Sequence, residues 1–456
     1  MTSSNWKLSA TELAARAQAG ELDPADVVTE ALARIEAKDG ALGAFCARRD
    51  QAALAEAQVL AGRGDLAELP LAGVPVAVKD IVDVEGMATR YGSQATDPSA
   101  ATQDGDITRR LRDAGAIVIG KTRLPELAIW PFSDDADGVA RNPWETSRSS
   151  GGSSGGSATA VAAGMAPIAL GSDGGGSVRI PSAACGLFGI KPGRDLLPVL
   201  EPEGEVHWFG MSHYGPIATT VADAALMLDV MAGTDRYRDP SPPDGPLAIA
   251  VSATPASPLG MVSDEWRDAV VATARVLHRA GHHLTGATPP YTFGDVRAFS
   301  ARWIQGPGRD VAQLGLDPAD LEPRTQSHLK ISDTAGRLMP IEADQVRSWR
   351  ERLARFFDRF DVLVTPALST FPVASSDWRE RSWAANLAAA LPQAEFTGMW
   401  NLADFPAASV PAGVADNGLP VAVQIVAPDG REELVLSVAA HLEELAPWVR
   451  HAPAVA

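Results

Sequence analysis

The chain of 456 residues has only two cysteines, Cys46 and Cys185, and they stand far apart. Neither belongs to a Cys-x-x-Cys pair, which argues against a disulfide framework or a zinc site. Small apolar neighbours indicate a core position for Cys185. Long apolar runs are also missing. The most apolar stretch, 160–170, is shorter than the roughly 20 residues that span a bilayer, and it contains Pro167.

Basic residues are scarce, with 39 Lys and Arg against 57 Asp and Glu, which gives a formal net charge of −18. Binding of nucleic acid through a basic face needs the opposite balance, so we expect no nucleic-acid partner. The N-terminus lacks the apolar segment of a signal peptide. We therefore expect a cytoplasmic protein with no membrane association. The eight histidines do not follow a metal-binding spacing, so we also expect no metal.

Residues up to about 65 are predicted to form an N-terminal helical segment. Ser9 and Glu12 have the spacing of a capping box at the first helix. Asp23 and Pro24 place a cap and then a proline at the start of the second helix, for which Gly40 is the predicted end.

From about residue 71, short apolar runs alternate with amphipathic helices. Strands are predicted in GVPVAVKD, AIVIGK, DVLVTP and LPVAVQIVA, and helices at about 108–114, 263–280, 344–357 and 432–445. This alternation predicts an α/β fold whose mixed, largely parallel central sheet is covered by helices on both faces. We expect one domain over residues 1–456, with a variable, pocket-forming region at about 235–395.

Two glycine-rich segments need an explanation: RSSGGSSGGSATAVAAG at 148–164 and GSDGGGSVRIP at 171–181. Glycine and serine tracts often form flexible linkers. Here, however, helix-like and strand-like apolar segments follow the first tract directly. Glycines in such a fixed loop permit positive φ angles and the close approach of a ligand to main-chain N–H groups. Neither segment has a phosphate-binding pattern, and the Gly-x-Ser-x-Gly match at 151–155 lacks the strand that a nucleophile elbow requires.

Lys79 ends the strand-like segment VPVAVKD and has apolar neighbours. Burial disfavours an ammonium, so this lysine is predicted to lose its proton more readily than a surface lysine and to act as a base. The alternative is a lysine at a strand end that extends its charged head to water. Together with a serine in each glycine-rich segment, Lys79 forms the candidate catalytic set.

These segments resemble the amidase signature family, whose members use a Ser–cis-Ser–Lys triad. The resemblance covers nearly the whole chain and is carried by LAGVPVAVKDIVDVEGMATRYGS, NPWETSRSSGGSSGGSATAVAAG and GSDGGGSVRIPSAACGLFGIKP, with later matches in SHYGPIATTVADAALMLDVMAG, DVLVTPA and GLPVAVQIVAP. It implies that Ser177 is the nucleophile, Lys79 the base and Ser153 the bridging serine, after a cis Gly152–Ser153 bond. Ser154 and Ser157 are the competitors for the bridging position.

The resemblance also implies an acyl-enzyme mechanism with an oxyanion hole of main-chain N–H groups at Gly174, Gly175, Gly176 and Ser177. Asp173 is interpreted as a structural partner of N–H groups in this loop. Many family members carry a larger residue at the position of Gly174, so we expect more space beside the oxyanion in this chain.

No cofactor is implied, and the expected partner is a small-molecule amide, bound by a monomer or homodimer. The segments that flank the triad predict an apolar pocket for an aryl or alkyl group, lined by Trp130, Phe132, Trp208, Phe209 and Met211, although each could equally be a core aromatic or core methionine. His207 and His213 are interpreted as pocket or loop residues. A stand-alone amidohydrolase is favoured, because the characteristic segment of the glutaminase subunit of the tRNA-dependent amidotransferase is missing. That subunit, and a carbamate or ester hydrolase with the same triad, remain the alternatives.

Overall fold

The computed structural model describes residues 5–199 and 206–453. Its strands in chain order are β1 (Phe45–Arg48), β2 (Pro75–Lys79), β3 (Ile117–Thr122), β4 (Asp134–Asp135), β5 (Gly138–Val139), β6 (Ile168–Asp173), β7 (Phe188–Lys191), β8 (His213–Ala218), β9 (Ala248–Val251), β10 (His283–Gly286), β11 (Val362–Pro366), β12 (Ala407–Val414) and β13 (Pro420–Val426).

Its α-helices are α1 (Ala10–Gln18), α2 (Pro24–Leu42), α3 (Asp50–Ala61), α4 (Asp106–Asp113), α5 (Gly155–Ala162), α6 (Arg179–Cys185), α7 (His207–Gly210), α8 (Val221–Ala232), α9 (Asp264–Arg279), α10 (Phe293–Gln313), α11 (Pro323–Leu338), α12 (Ala343–Phe357), α13 (Trp383–Ala394), α14 (Gly398–Ala403) and α15 (Glu432–Leu445).

One mixed sheet runs through the molecule in the strand order β1-β3-β2-β6-β8-β7-β12-β13-β11-β9-β10, and β4 pairs with β5 separately. Parallel pairing occurs in two blocks, β3–β2–β6 and β11–β9–β10. Between the blocks, and at the β1 edge, the neighbours are antiparallel. The predicted α/β fold with a mixed sheet is confirmed, and the expected parallel pairing is found in the two blocks.

Helices cover both faces of the sheet. Because side chains alternate along a strand, Val76 and Val78 of β2 contribute to one core cluster and Ala77 to the other. The first cluster includes residues of α1, α4, α8 and α15. The second includes residues of α2, α3, α5 and α6, among them the buried Cys185 at the predicted core position.

The predicted caps of the N-terminal helices are present. Ser9 and Glu12 form the capping box of α1, and the Asp23 side chain caps α2. The predicted stop at Gly40 is wrong, because α2 continues to Leu42 and ends at Gly43. Gly43 has a φ of 65°, the left-handed conformation that a glycine adopts readily.

The region at about 235–395, predicted to be variable and pocket-forming, contains the helices α9 to α13. Of these helices, α10 and α13 line a chamber together with Gly175 and Ser177, which follow the carboxyl end of β6, the strand next to β2. These two strands are parallel neighbours, with Val78 opposite Leu170. Their last residues therefore lie at one edge of the sheet, which is where ligands bind in many α/β folds.

Candidate active site

Both glycine-rich segments meet at this edge of the sheet. The first, which precedes α5, approaches the turn between β6 and α6, where Ser154 N–H donates to the carbonyl of Ser177 at 3.2 Å. The last residue of β2, Lys79, lies between them. The structure thus brings together the three residues of the predicted catalytic set.

Lys79 is fully buried. Its Nζ lies 2.7 Å from Ser153 Oγ and 2.9 Å from Ser172 Oγ. Burial lowers the pKa of Lys79 to about 7, although the negative charge of Asp173 acts in the opposite direction. A substantial share of the amine is therefore neutral near neutral pH.

The two carboxylates closest to Lys79 along the strands have other partners. Asp80 lies 2.7 Å from Lys121 Nζ, and Asp173 lies 2.9 Å from a guanidinium nitrogen of Arg179. Within the described residues, no carboxylate is at ion-pair distance from Lys79. Lys79 therefore has hydroxyl and carbonyl neighbours in place of a counter-ion, which explains why burial dominates its pKa.

The serines of the first segment point in different directions. Ser154 Oγ donates to the carbonyl of Ser172 at 3.2 Å, and Ser157 Oγ donates to the carbonyl of Leu170 at 2.9 Å. Of these three serines, Ser153 is the one whose hydroxyl contacts Lys79 Nζ. The peptide bond before Ser153 is cis, as the family resemblance implied.

Asp173 holds the turn that carries Ser177. Its carboxylate accepts hydrogen bonds from the N–H groups of Gly176 at 2.6 Å and Val178 at 3.1 Å, and from the side chains of Arg179 and Asn401. Burial would raise the pKa of Asp173, but the charge and hydrogen bonds of Arg179 outweigh it and hold that pKa well below its usual range. The structural interpretation of Asp173 agrees with these contacts.

The same contacts change the set of candidate oxyanion donors. The N–H of Gly176 is engaged by Asp173, whereas those of Gly174, Gly175 and Ser177 have no acceptor within the described part of the chain. Gly176 has a φ of 126°, and a Cβ there would lie 2.2 Å from Thr397 Oγ1, so this position requires glycine.

The expected space beside Gly174 is not empty. A Cβ added to Gly174 would lie 2.8 Å from Ser212 Oγ and 3.0 Å from the ring of Trp208. Because position 174 has no side chain, Ser212 and Trp208 pack against the turn. The expectation of a wider space is therefore wrong.

Ser177 is half-buried and opens onto two adjoining chambers that share Ala128, Ser177 and Trp208 in their walls. The chamber of about 110 Å³ is the more polar of the two, and we call it the polar chamber. Its polar lining residues include Ser153, Ser172, Ser212, His207 and Asp310, and its apolar ones include Ile81, Leu127, Val199 and Leu314. The apolar chamber, of about 210 Å³, is lined by Ile129, Ile180, Phe299, Trp303, Ile304, Trp383 and Leu387, among others.

Of the five predicted pocket residues, Trp208 lines both chambers. Trp130 and Phe132 are buried in the core, with their rings stacked at 6.0 Å, and Met211 is buried as well. Phe209 is half-buried, and the guanidinium of Arg309 lies 4.8 Å from its ring. For these four residues the structure corrects the pocket interpretation, because aromatic residues from later helices form the chamber walls.

Several residues of the site were not identified from the sequence. Ser172 sits two positions after the apolar end of β6, with no motif to distinguish it. Phe299, Trp303 and Trp383 lie on α10 and α13, within the region at about 235–395 that was predicted to form a pocket, but no pattern identified them individually as lining residues. Their contribution depends on long-range packing that local sequence patterns do not encode.

The two histidines named from the sequence differ in position. His207 lines the polar chamber, whereas His213 is buried in β8, with its Nε2 3.0 Å from Asp404 Oδ1. Over residues 5–199 and 206–453, the structure has no cluster of three or more residues able to hold a metal ion. Those same residues include no helix that is both long and apolar enough to cross a membrane.

The sequence model of the Amidase family matches residues 26–436, so the chain belongs to this family. The chain is 41% identical over 438 residues to the Mycobacterium tuberculosis protein named "Putative amidase AmiB2", covering 93% of each sequence. It is 34% identical over 480 residues to an acylamidase of Rhodococcus erythropolis, covering 100% of this chain and 99% of that protein.

Among solved structures, the fold is similar to that of a 6-aminohexanoate cyclic dimer hydrolase in complex with its substrate. The TM-score is 0.88 at 28% identity, with 99% of each chain covered. The protein is accordingly an enzyme that hydrolyses amide C–N bonds, with the amidase signature fold.

Proposed function

We propose that this chain is a stand-alone serine amidohydrolase in which Ser177 is the nucleophile, Ser153 the proton relay and Lys79 the base. The observation that carries the proposal is the fully buried Lys79, whose Nζ lies 2.7 Å from Ser153 Oγ, beside the turn that carries Ser177.

The neighbours of Lys79 suit a neutral amine. Such an amine has two hydrogens and one lone pair. Ser172 offers two acceptors, its Oγ at 2.9 Å and its carbonyl oxygen at 3.5 Å. The lone pair can then accept the hydrogen of Ser153, whose oxygen in turn accepts the hydrogen of Ser177.

In the first half-reaction, Ser177 Oγ forms a bond to the amide carbon while its proton passes through Ser153 to Lys79. The N–H groups of Gly174, Gly175 and Ser177 stabilise the resulting oxyanion, since they have no acceptor among the described residues. The C–N bond then breaks, and the proton returns from Lys79 through Ser153 to the leaving nitrogen. Water attacks the acyl-enzyme by the same relay and releases the acid.

Each of the two chambers is assigned one portion of the substrate. The leaving nitrogen must lie near Ser153 to receive its proton, and Ser153 lines the polar chamber. The amine portion therefore enters the polar chamber, and the acyl portion enters the apolar chamber with Phe299, Trp303 and Trp383. Walls of this kind favour an aryl or medium alkyl acyl group. The acylamidase name of the Rhodococcus erythropolis relative is consistent with this substrate class.

The test is hydrolysis by the purified chain alone, measured as release of the amine from phenylacetyl amides, of the alcohol from phenylacetyl esters, and of the amine from benzyl carbamates. We expect amide cleavage without any added subunit. Activity on amides that appears only with other subunits would favour the amidotransferase alternative, and a strong preference for carbamates or esters would favour those hydrolases.

Three variants test the assigned roles. Ser177→Ala is expected to lower kcat by about 10³-fold or more, Lys79→Ala to lower it nearly as much, and Ser153→Ala to leave more activity, because Ser153 only relays protons. Ser327→Ala and Lys330→Ala, which change the same residue types on α11, are the matched controls. Substantial turnover by Ser177→Ala would refute the assignment.

A further inference from the structure

The polar chamber contains a carboxylate that the proposed mechanism does not use. Asp310, on α10, is 7% exposed and lines this chamber. It is the only Asp or Glu among the described residues that line either chamber, and no Lys or Arg lines them. A carboxylate whose only basic neighbour among the described lining residues is the imidazole of His207 thus borders the space assigned to the leaving amine.

The two oxygens of Asp310 have different surroundings. Oδ2 accepts a hydrogen bond of 2.8 Å from Trp208 Nε1. Oδ1 lies 2.8 Å from His207 Nε2, but within the described residues it has no hydrogen-bond partner of good geometry. Oδ1 itself has less than 1 Å² of exposed surface, so a ligand would meet the Asp310 carboxylate through the part of the side chain that lines the chamber. A buried carboxylate with an unsatisfied oxygen is costly, so this group is suited to a donor that arrives with the substrate.

The side chain of His207, which lies beside Asp310, is held in place by a further contact. His207 Nδ1 lies 2.8 Å from Ser212 Oγ, so Asp310, His207 and Ser212 form a chain of contacts in which the Asp310–His207 step lacks hydrogen-bond geometry. Ser212 reaches the turn at Gly174, beside the proposed oxyanion donors. This chain therefore connects the carboxylate to the reacting part of the cavity.

We infer that Asp310, supported by His207 and Ser212, binds an ammonium group on the amine portion of the substrate. Resting on the proposed function, this inference narrows the substrate class to mono-acylated diamines: an apolar acyl group in the apolar chamber and an aminoalkyl amine in the polar chamber. A cation beside the Asp310 carboxylate gains a charge-assisted interaction, which an alkyl group of the same shape does not.

The test compares matched ligands by calorimetric binding to the Ser177→Ala protein, so that it does not depend on turnover. The ammonium ligands are N-(2-aminoethyl)-, N-(3-aminopropyl)- and N-(4-aminobutyl)phenylacetamide. Their isosteric partners are the N-propyl, N-butyl and N-pentyl amides. We expect at least one ammonium ligand to bind ten-fold or more tighter than its partner.

Asp310→Asn in the same background should reduce this preference at least five-fold, because the amide retains the shape and removes the charge. Asp320→Asn, which removes an exposed carboxylate outside the chambers, is the matched control and should leave the preference intact. Ser212→Ala should weaken the preference by a smaller factor, since the carboxylate remains.

The inference is overturned if the alkyl partners bind as tightly as the ammonium ligands at all three lengths, or if the preference survives Asp310→Asn. Should Asp310→Asn not fold, the comparison of ligands in the Ser177→Ala protein still decides. If the wild-type enzyme hydrolyses alkyl amides but shows no preference for the ammonium ligands, only the amine subsite is refuted and the proposed function stands. If Ser177 proves not to be the nucleophile, the measured preference for ammonium ligands and its dependence on Asp310 are unaffected.

Discussion

Lys79 is the residue on which the proposed mechanism depends most, because its protonation state sets the rate. Burial lowers its pKa to about 7, so the base is protonated below that pH and neutral above it. We predict that kcat/KM rises from mildly acidic to mildly alkaline pH, with an acidic limb centred near pH 7. The measurement is the pH profile of kcat/KM on a neutral amide.

The control for this profile is His213→Ala. His213 is buried in β8, where it pairs with Asp173 of β6, the residue that holds the turn carrying Ser177. The acidic limb should persist in this variant. A maximum below about pH 6, or a limb that disappears with His213, would mean that another group is the base.

Among individual residues, the sequence predicted that Lys79, Ser153 and Ser177 come together, but it did not predict all of their surroundings. The three residues Lys79, Ser153 and Ser177 follow from motifs that are local in the chain. The acceptors beside Lys79 Nζ come from Ser172, and the turn is held by Arg179 and Asn401, which are linked to Asp173 by a network buried in the fold. Side-chain networks of this kind depend on geometry that no short motif contains.

Among the helices, α13 forms one wall of the apolar chamber through Trp383 and Leu387. Leu387 is half-buried, so a larger side chain there can project into the chamber without opening a cavity in the core. We predict that Leu387→Trp lowers kcat/KM for N-propyl phenylacetamide about ten-fold or more, while N-propyl acetamide is affected less.

The matched control is Leu445→Trp, because Leu445 is exposed at the end of α15 and lines neither chamber. It should leave both rates close to those of the wild type. Equal losses on the phenylacetyl and acetyl substrates in Leu387→Trp would contradict the assignment of the acyl group to the apolar chamber.

The elements differ in how readily the sequence predicts them. Strands β2, β3, β11 and β13 and helix α15 lie where the apolar patterns predicted them, because the four strands are buried along their whole length and α15 buries an apolar stripe. Helix α10 was missed. It contains Gly306 and Pro307, residues that normally break a helix, but Gly306 packs so closely on Trp208 that a Cβ would lie 2.7 Å from the ring. Tertiary packing overrides local propensity there.

Over the whole molecule, the burial of Lys79 opposes folding at neutral pH. The unfolded chain keeps the lysine proton up to about pH 10.5, whereas the folded chain keeps it only up to about pH 7. Between these values the unfolded state binds more protons, so the free energy of unfolding increases with pH, by up to about 1.4 kcal/mol per pH unit from this group.

Lys79→Met removes this contribution and retains an apolar side chain of similar length. We predict that the wild type gains stability relative to Lys79→Met between pH 7 and pH 9, as measured by urea unfolding at pH 7, 8 and 9. Lys191, another buried lysine with a pKa lowered by burial to about 8, is present in both proteins and cancels in the comparison. Parallel stability curves would show that Lys79 keeps its proton in the folded state.

The proposed mechanism is decided by which residue forms the covalent bond to the acyl group. The wild-type protein is labelled with a fluorophosphonate, digested, and mapped by mass spectrometry, with Ser177→Ala as the matched control. We predict a single adduct on Ser177 that is absent from the variant. An adduct on Ser153, Ser154, Ser157 or Ser212 would contradict the proposed mechanism.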